Sequence, residues 1–152
     1  MRRVRTGEIV AGVAGALLLL STFLEWYTLR GRAEGLTAWG AFSFVDLLVA
    51  VVALLGMTLA ASQVIGRGPA LPVALGVTTT TLALAGTLLL AYRILNQPGP
   101  NDLISVEAGA YVGLLASLGV FLGAWLSLSD ERPRPADPPP PEPQRRPTPA
   151  RS

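Results

Sequence analysis

The sequence predicts an all-α membrane protein, with four transmembrane helices in an antiparallel up-down bundle and a disordered C-terminal tail rich in proline and arginine. Composition is the first observation: 51% of the 152 residues are hydrophobic and only 14% are charged, against about 25% charged residues in an average soluble domain. The second is that the apolar residues form four long runs, none of which alternates polar and apolar residues as a barrel strand would. Short polar connections separate the runs, which makes successive helices antiparallel neighbours.

The first predicted helix covers about residues 8–27 and follows a short basic N-terminus, residues 1–7. A basic start before an apolar run also occurs in secretory signal peptides, but their cleavage needs small residues directly after the run. Here the run ends in the bulky segment Phe23–Tyr27 (FLEWY), so we expect an uncleaved helix. Pairs of small residues spaced four apart give this helix a face for close contact with a neighbour, Ala11/Gly15 and Gly12/Ala16.

The other three apolar runs predict helices over residues 44–62, 70–95 and 106–128, which complete a membrane domain of residues 8–129. Each run has roughly the 20 residues that cross a hydrocarbon core. The last run carries two GxxxG pairs, which let another helix approach closely, Gly109/Gly113 and Gly119/Gly123. We expect these glycines to pack within the bundle, and self-association into a homo-oligomer is the alternative.

Arginine residues set the predicted orientation, because cytoplasmic loops carry an excess of basic residues. With both termini in the cytoplasm, the inner side collects Arg2, Arg3, Arg5, Arg67, Arg132 and Arg134, and the outer side Arg30, Arg32 and Arg93. The connection between the first two helices then lies outside the cell. Its aromatic residues are expected to lie at the membrane interface or to form an interaction surface, Trp26, Tyr27 and Trp39. Residues 130–152 are expected to be a disordered cytoplasmic tail.

The composition also excludes several kinds of site. The chain has no cysteine and no histidine, which excludes disulfides and thiol nucleophiles and removes the commonest metal ligand and acid–base group. We therefore expect no cofactor. All twelve basic residues are arginines, and most of them flank the apolar runs or lie in the tail. This distribution indicates contact with a lipid bilayer and no nucleic-acid partner, and protein partners are expected through the tail or the helix faces.

Two charged residues fall inside predicted helices, Asp46 near the outer end of the second and Arg93 near the outer end of the third. Charged residues within a membrane mark a functional site by default, so these two are a candidate intramembrane polar pair. Two structural interpretations stay open beside this one. Asp46 also closes a capping box that begins at Ser43, and the long side chain of Arg93 can extend to the lipid headgroups.

Four segments of the chain carry a resemblance to a known group: FLEWY (Phe23–Tyr27), AWGAFSFVDLL (Ala38–Leu48), YRILNQPG (Tyr92–Gly99) and GAYVGLLASLG (Gly109–Gly119). They resemble small four-helix integral membrane proteins of high-GC Gram-positive (actinobacterial) bacteria. The resemblance covers most of the membrane region but not the tail, and it implies the four-helix fold. It implies no activity and no catalytic residue. A proline often stands in that group where this chain has Glu25, which argues against a role for this glutamate.

The leading functional hypothesis is a non-enzymatic scaffold or accessory subunit of the plasma membrane that acts by protein interaction. It depends on the short loops, the few polar residues within the helices and the cytoplasmic tail. The alternative is a small transporter or ion-conducting subunit, oligomeric, that uses Asp46 and Arg93. An enzyme ranks third, because four acids are predicted on the outer side but their spacing indicates no cleft: Glu25, Asp46, Asp102 and Glu107.

Overall fold

The computed structural model describes residues 6–31, 34–41, 44–64, 70–97 and 103–130. Its helices are α1 (Thr6–Ser21), α2 (Ala38–Ala41), α3 (Phe44–Val64), α4 (Ala70–Leu95) and α5 (Ala108–Asp130), and its strands are β1 (Glu25–Leu29), β2 (Gly35–Thr37) and β3 (Ile104–Val106). The mostly helical fold is confirmed, whereas the small sheet was not predicted. The arginines assigned to the inner side and all of the predicted tail after Asp130 lie outside the described residues.

Three helices are long and apolar enough to cross a membrane, over Phe44–Ser62, Val73–Leu95 and Ala108–Ser129. α1 is apolar but has only 16 residues, about 24 Å at 1.5 Å per residue, which is less than the roughly 30 Å of a hydrocarbon core. The prediction that this helix extends to residue 27 is wrong, because the chain turns after Ser21 and enters β1 at Glu25. The described fold is compatible with a membrane protein.

The four long helices form a bundle in which α1 lies between α3 and α5, and α4 packs on α3 and α5. Neighbours run antiparallel, since residue numbers rise along one helix as they fall along the next. The pairs in contact are Gly12–Ala60 and Gly15–Ala53 between α1 and α3, Ala11–Gly123 and Ala14–Gly119 between α1 and α5, and Gly76–Leu128 and Gly86–Ser117 between α4 and α5. The described helices therefore have the up-down order that was predicted.

α1 approaches both of its neighbours at backbone distance. A Cβ atom added at Gly56 would lie 2.7 Å from the Ala11 carbonyl oxygen. One added at Gly123 would lie 2.7 Å from the Gly7 carbonyl oxygen and would overlap the backbone nitrogen of Ala11. The second GxxxG pair of α5, Gly119/Gly123, thus packs within the bundle. Such contacts suit a lipid environment, where packing between helices replaces the hydrophobic drive that water supplies.

Side-chain size is distributed in the way a bilayer favours. Small residues fill much of the bundle interior, among them the fully buried Ala53, Ala83 and Ala124. Large apolar side chains cover much of its outside, among them Leu20, Leu88 and Leu115. In a soluble domain the large apolar side chains are the ones most often buried. The outer surface of this bundle is therefore suited to contact with lipid.

The close contact of α1 with α5 predicts a large difference between two Gly→Ala substitutions. Gly123→Ala places its Cβ against the α1 backbone, which cannot move aside cheaply, so we expect a loss of about 1–3 kcal/mol in the free energy of unfolding. Gly86→Ala is the matched control, because its Cβ would lie 3.5 Å from Val52, an ordinary contact. Thermal or SDS unfolding in detergent measures both, and equal stability of the two variants would contradict the packing described here.

Candidate functional site

The most distinctive part of the fold is a cap at one end of the bundle, which we define as residues 22–31, 34–41 and 103–107. Its sheet has the order β2-β1-β3, with both pairings antiparallel. Two further backbone hydrogen bonds of 2.9 Å flank the β1–β3 pairing, from Arg30 N–H to Leu103 and from Glu107 N–H to Trp26. The connection after α1 is thereby tied to the segment that leads into α5.

A bulge in β1 decides which side chains face the bundle. Glu25 pairs with Thr37 and Tyr27 with the adjacent Leu36, so β1 has one more residue than β2 between these pairs, Trp26. In a regular strand successive side chains point to opposite faces, but a bulge bends the strand and redirects one of them. As a result Trp26 and Tyr27 are each only 1% exposed. This differs from the expectation that both side chains lie at the membrane interface or form an interaction surface.

Trp26 packs on the glycine face of α5 at the start of that helix. Cβ atoms added at Gly109 and Gly113 would lie 2.7 Å and 2.6 Å from the indole ring. The indole N–H donates a 2.7 Å hydrogen bond to the carbonyl of Ser21, one of the final carbonyls that a helix leaves without an internal partner. The first GxxxG pair therefore holds an aromatic ring, where helix–helix packing had been expected.

Tyr27 links the cap to the end of α4. Its hydroxyl donates a 3.2 Å hydrogen bond to the backbone carbonyl of Arg93. Burial raises the pKa of the Tyr27 hydroxyl to about 12, although the nearby Arg93 guanidinium acts in the opposite direction. Tyr27 is therefore a neutral donor across the whole physiological range of pH.

Glu107 connects the sheet to the first turn of α5. The hydroxyl of Thr28 donates a 2.6 Å hydrogen bond to the Glu107 carboxylate, and Glu107 directly precedes the first residue of α5. A carboxylate at this place is stabilised by the positive end of the helix dipole. Glu107 therefore joins the sheet to the start of α5.

Trp39 is the one of the three predicted aromatic residues that keeps a large exposed area. It is 48% exposed, and its ring lies 6.4 Å from that of Phe23, which is 65% exposed. The Trp39 indole N–H donates a 3.2 Å hydrogen bond to the Thr22 hydroxyl. Phe23 and Trp39 thus form a fixed aromatic pair on the surface of the cap.

Asp46 lies in the first turn of α3, is 2% exposed, and its Oδ1 atom has no hydrogen-bond partner in the described part of the chain. The contact of Gly86 with Val52 places Asp46 at about the level of residue 92 on α4, one residue before Arg93. Even so, no ion pair or hydrogen bond joins Asp46 to Arg93 among the described residues. The capping box predicted for Asp46 begins at Ser43, which lies outside them.

The other acids of the enzyme hypothesis have separate surroundings. Glu25 is exposed and its carboxyl group lies over Gly35, Glu107 holds Thr28, and Asp102 lies outside the described residues. Within the described ranges no three acidic, histidine or cysteine side chains are grouped so that they could hold a metal ion.

One buried acid was missed by the sequence analysis. Glu8 is fully buried in the first turn of α1, at the opposite end of the bundle from the cap. Its carboxylate accepts a 3.3 Å hydrogen bond from the hydroxyl of Ser127 on α5. The signal for it in the sequence is the acid itself, which stands at the head of an apolar run, where a helix is expected to begin.

Comparisons of the chain with protein-family models, with curated proteins and with solved structures find no match. The cap and the buried Asp46 are the two features that the bundle alone does not require, and they are the basis for a proposal about function.

The burial of Tyr27 predicts its behaviour at high pH. The folded protein holds the hydroxyl proton more tightly than the unfolded chain does, so this contribution to stability is complete below about pH 10 and is lost as the pH rises towards 12. An absorbance titration of phenolate in detergent should show a late component near pH 12. Tyr27→Phe should remove it and Tyr111→Phe should leave it, whereas a late component that persists in Tyr27→Phe would contradict its assignment to Tyr27.

Proposed function

We propose that this protein is a multi-pass protein of the plasma membrane that acts by protein interaction, as a scaffold or accessory subunit. The observation that carries the proposal is the cap, a preformed surface held against the long helices. With both termini in the cytoplasm, as the arginine distribution predicts, the cap lies on the outer side of the membrane.

The cap is fixed by contacts with each of the four long helices. Trp26 donates to the end of α1 and packs on α5, and Tyr27 donates to the end of α4. Val45, in the first turn of α3, belongs to the same buried cluster as Trp26 and Tyr27. A surface held in this way loses little conformational freedom on binding, which favours recognition of a partner.

The cap also carries side chains of the type that dominate binding energies. Phe23 and Trp39 form the exposed aromatic pair, and Leu36 beside them is also exposed. Large aromatic residues contribute most to protein–protein contacts, although tryptophan is equally common at the membrane interface. We assign the pair to a protein partner because the sheet holds it on a fixed frame, and contact with lipid headgroups is the competing outcome.

The second candidate function is a small transporter or ion-conducting subunit, and the buried Asp46 is the observation that favours it. The contacts of α1 with α3 and α5 are at backbone distance and leave no room for a path along these two interfaces. The alternative therefore places the path away from these two interfaces, for example between the subunits of an oligomer. If the protein conducts ions, the purified protein in liposomes should support an ion flux that Asp46→Asn abolishes. Absence of flux with the unmodified protein would exclude this second function.

Site-directed photo-crosslinking in native membranes tests the proposed recognition surface. A photoreactive residue at position 39 should repeatedly capture the same partner, because Trp39 is exposed on the cap. The same residue at position 88 is the matched control, since Leu88 is exposed on the bundle flank. Capture of a partner at position 39 should be lost when Phe23→Ala is added. Products formed only with lipid at both positions would contradict the proposal.

The proposed threading is tested by reporter fusions at residues 1 and 152. Both reporters should be cytoplasmic, because four crossings return the chain to the side where it started. This expectation requires α1 to cross despite its 16 residues, by local thinning of the bilayer or by placing flanking polar groups near the headgroups. Reporters on opposite sides would show three crossings and would move the cap relative to the N-terminus.

A further inference from the structure

Asp46 is a buried carboxylate that forms no ion pair with another residue in the described part of the chain. It is 2% exposed, and its Oδ1 atom has no hydrogen-bond partner among the described residues. Val45 and Val49 of the same helix are buried in the apolar cluster beneath the cap. An ionised carboxylate in such surroundings is strongly unfavourable unless a positive charge or a hydrogen-bond donor accompanies it.

A second unsatisfied acceptor lies at the same end of the bundle. Gln97 lies two residues after the end of α4, and its buried Oε1 atom also has no hydrogen-bond partner in the described part of the chain. The Asp46 oxygen lacks a donor, so an occupant that binds it has to bring positive charge or a proton. Buried polar groups without partners are rare enough in folded proteins that each one requires an explanation.

We propose that Asp46 binds one small monovalent cation, a class of which the proton is the smallest member. The burial of Asp46 limits the size of the occupant. A side chain of another protein cannot reach a carboxylate that is 2% exposed unless the bundle opens. The small number of available carboxylates limits the charge of the bound cation, because divalent cations such as calcium take six to eight oxygens including several carboxylates. No group of three acids is present among the described residues.

The charged and titratable groups at this end of the bundle are compatible with a single bound charge. The guanidinium of Arg93 acts on the neutral hydroxyl of Tyr27. Glu107 is hydrogen-bonded to Thr28, and Glu25 is exposed. The positive charge of Arg93, at about the level of Asp46 along the bundle, disfavours an occupant that carries more than one positive charge. This inference is independent of the proposed function, because a scaffold and a transporter can both hold such an ion.

The thermal unfolding of the full chain in detergent tests the proposal. The salts are NaCl, KCl and N-methyl-D-glucamine chloride at equal ionic strength, so that only the size of the cation changes. A ligand that binds the folded state alone raises the unfolding midpoint, by on the order of 5 °C when its concentration is a hundred times Kd. Asp46→Asn keeps the shape of the side chain and removes its charge. Glu25→Gln is the control, since it removes an exposed carboxylate at the same end.

The outcomes distinguish the two kinds of cation. A midpoint that rises with sodium or potassium in the unmodified protein and in Glu25→Gln, but not in Asp46→Asn, supports a bound metal cation. An unfolding midpoint that is the same in all three salts but rises as the pH falls, again only when Asp46 is present, supports a bound proton. If Asp46→Asn does not fold, calorimetric titration of the unmodified protein with NaCl and by pH provides the same readout. Identical responses of the unmodified protein and Asp46→Asn overturn the proposal.

Discussion

The cap depends on the packing of Trp26 against α5. This is possible because the face of α5 that Trp26 contacts is formed by glycines, which have no side chains. Gly109 and Gly113 are four residues apart and lie one above the other on one helix face, and the indole ring occupies the volume that their Cβ atoms would fill. The same ring satisfies the Ser21 carbonyl at the end of α1. One residue therefore stabilises the end of α1, forms the bulge of β1 and joins both to α5.

The helices could be predicted from the sequence because hydrophobic runs are local signals. The bounds of α3, α4 and α5 lie within two residues of those predicted. The sheet could not be predicted from the sequence, because its strands pair over a long distance along the chain. Thr28 and Glu107, which are hydrogen-bonded across it, are 79 residues apart. The segment FLEWY is apolar enough to continue a helix, and only the distant partner of β1 shows that Glu25–Tyr27 is extended. Strand formation depends on such neighbours more than on intrinsic preference.

The candidate site was accessible from the sequence only in part. Asp46 could be singled out because an acid within an apolar run is unusual. The burial of Trp26 and Tyr27 could not be predicted from the sequence, because it depends on a bulge and on glycines far along the chain. An aromatic residue in a polar connection is reasonably assigned to the membrane interface, and for Trp39 the exposed ring is still compatible with that assignment. The tertiary structure decides which of the three aromatic residues, Trp26, Tyr27 and Trp39, are buried.

The cap and the buried acid belong to one structural unit. Val45 and Asp46 are adjacent in the first turn of α3, and Val45 packs in the cluster that contains Trp26 and Tyr27. The hydroxyl of Tyr27 is bonded to the backbone of Arg93, on the turn of α4 that lies at about the level of Asp46. The first turn of α3, which carries Asp46, is thus packed in the same cluster as the residues that hold the sheet. Since a close-packed cluster transmits displacement between its members, we expect a displacement of the sheet to reach the turn that carries Asp46.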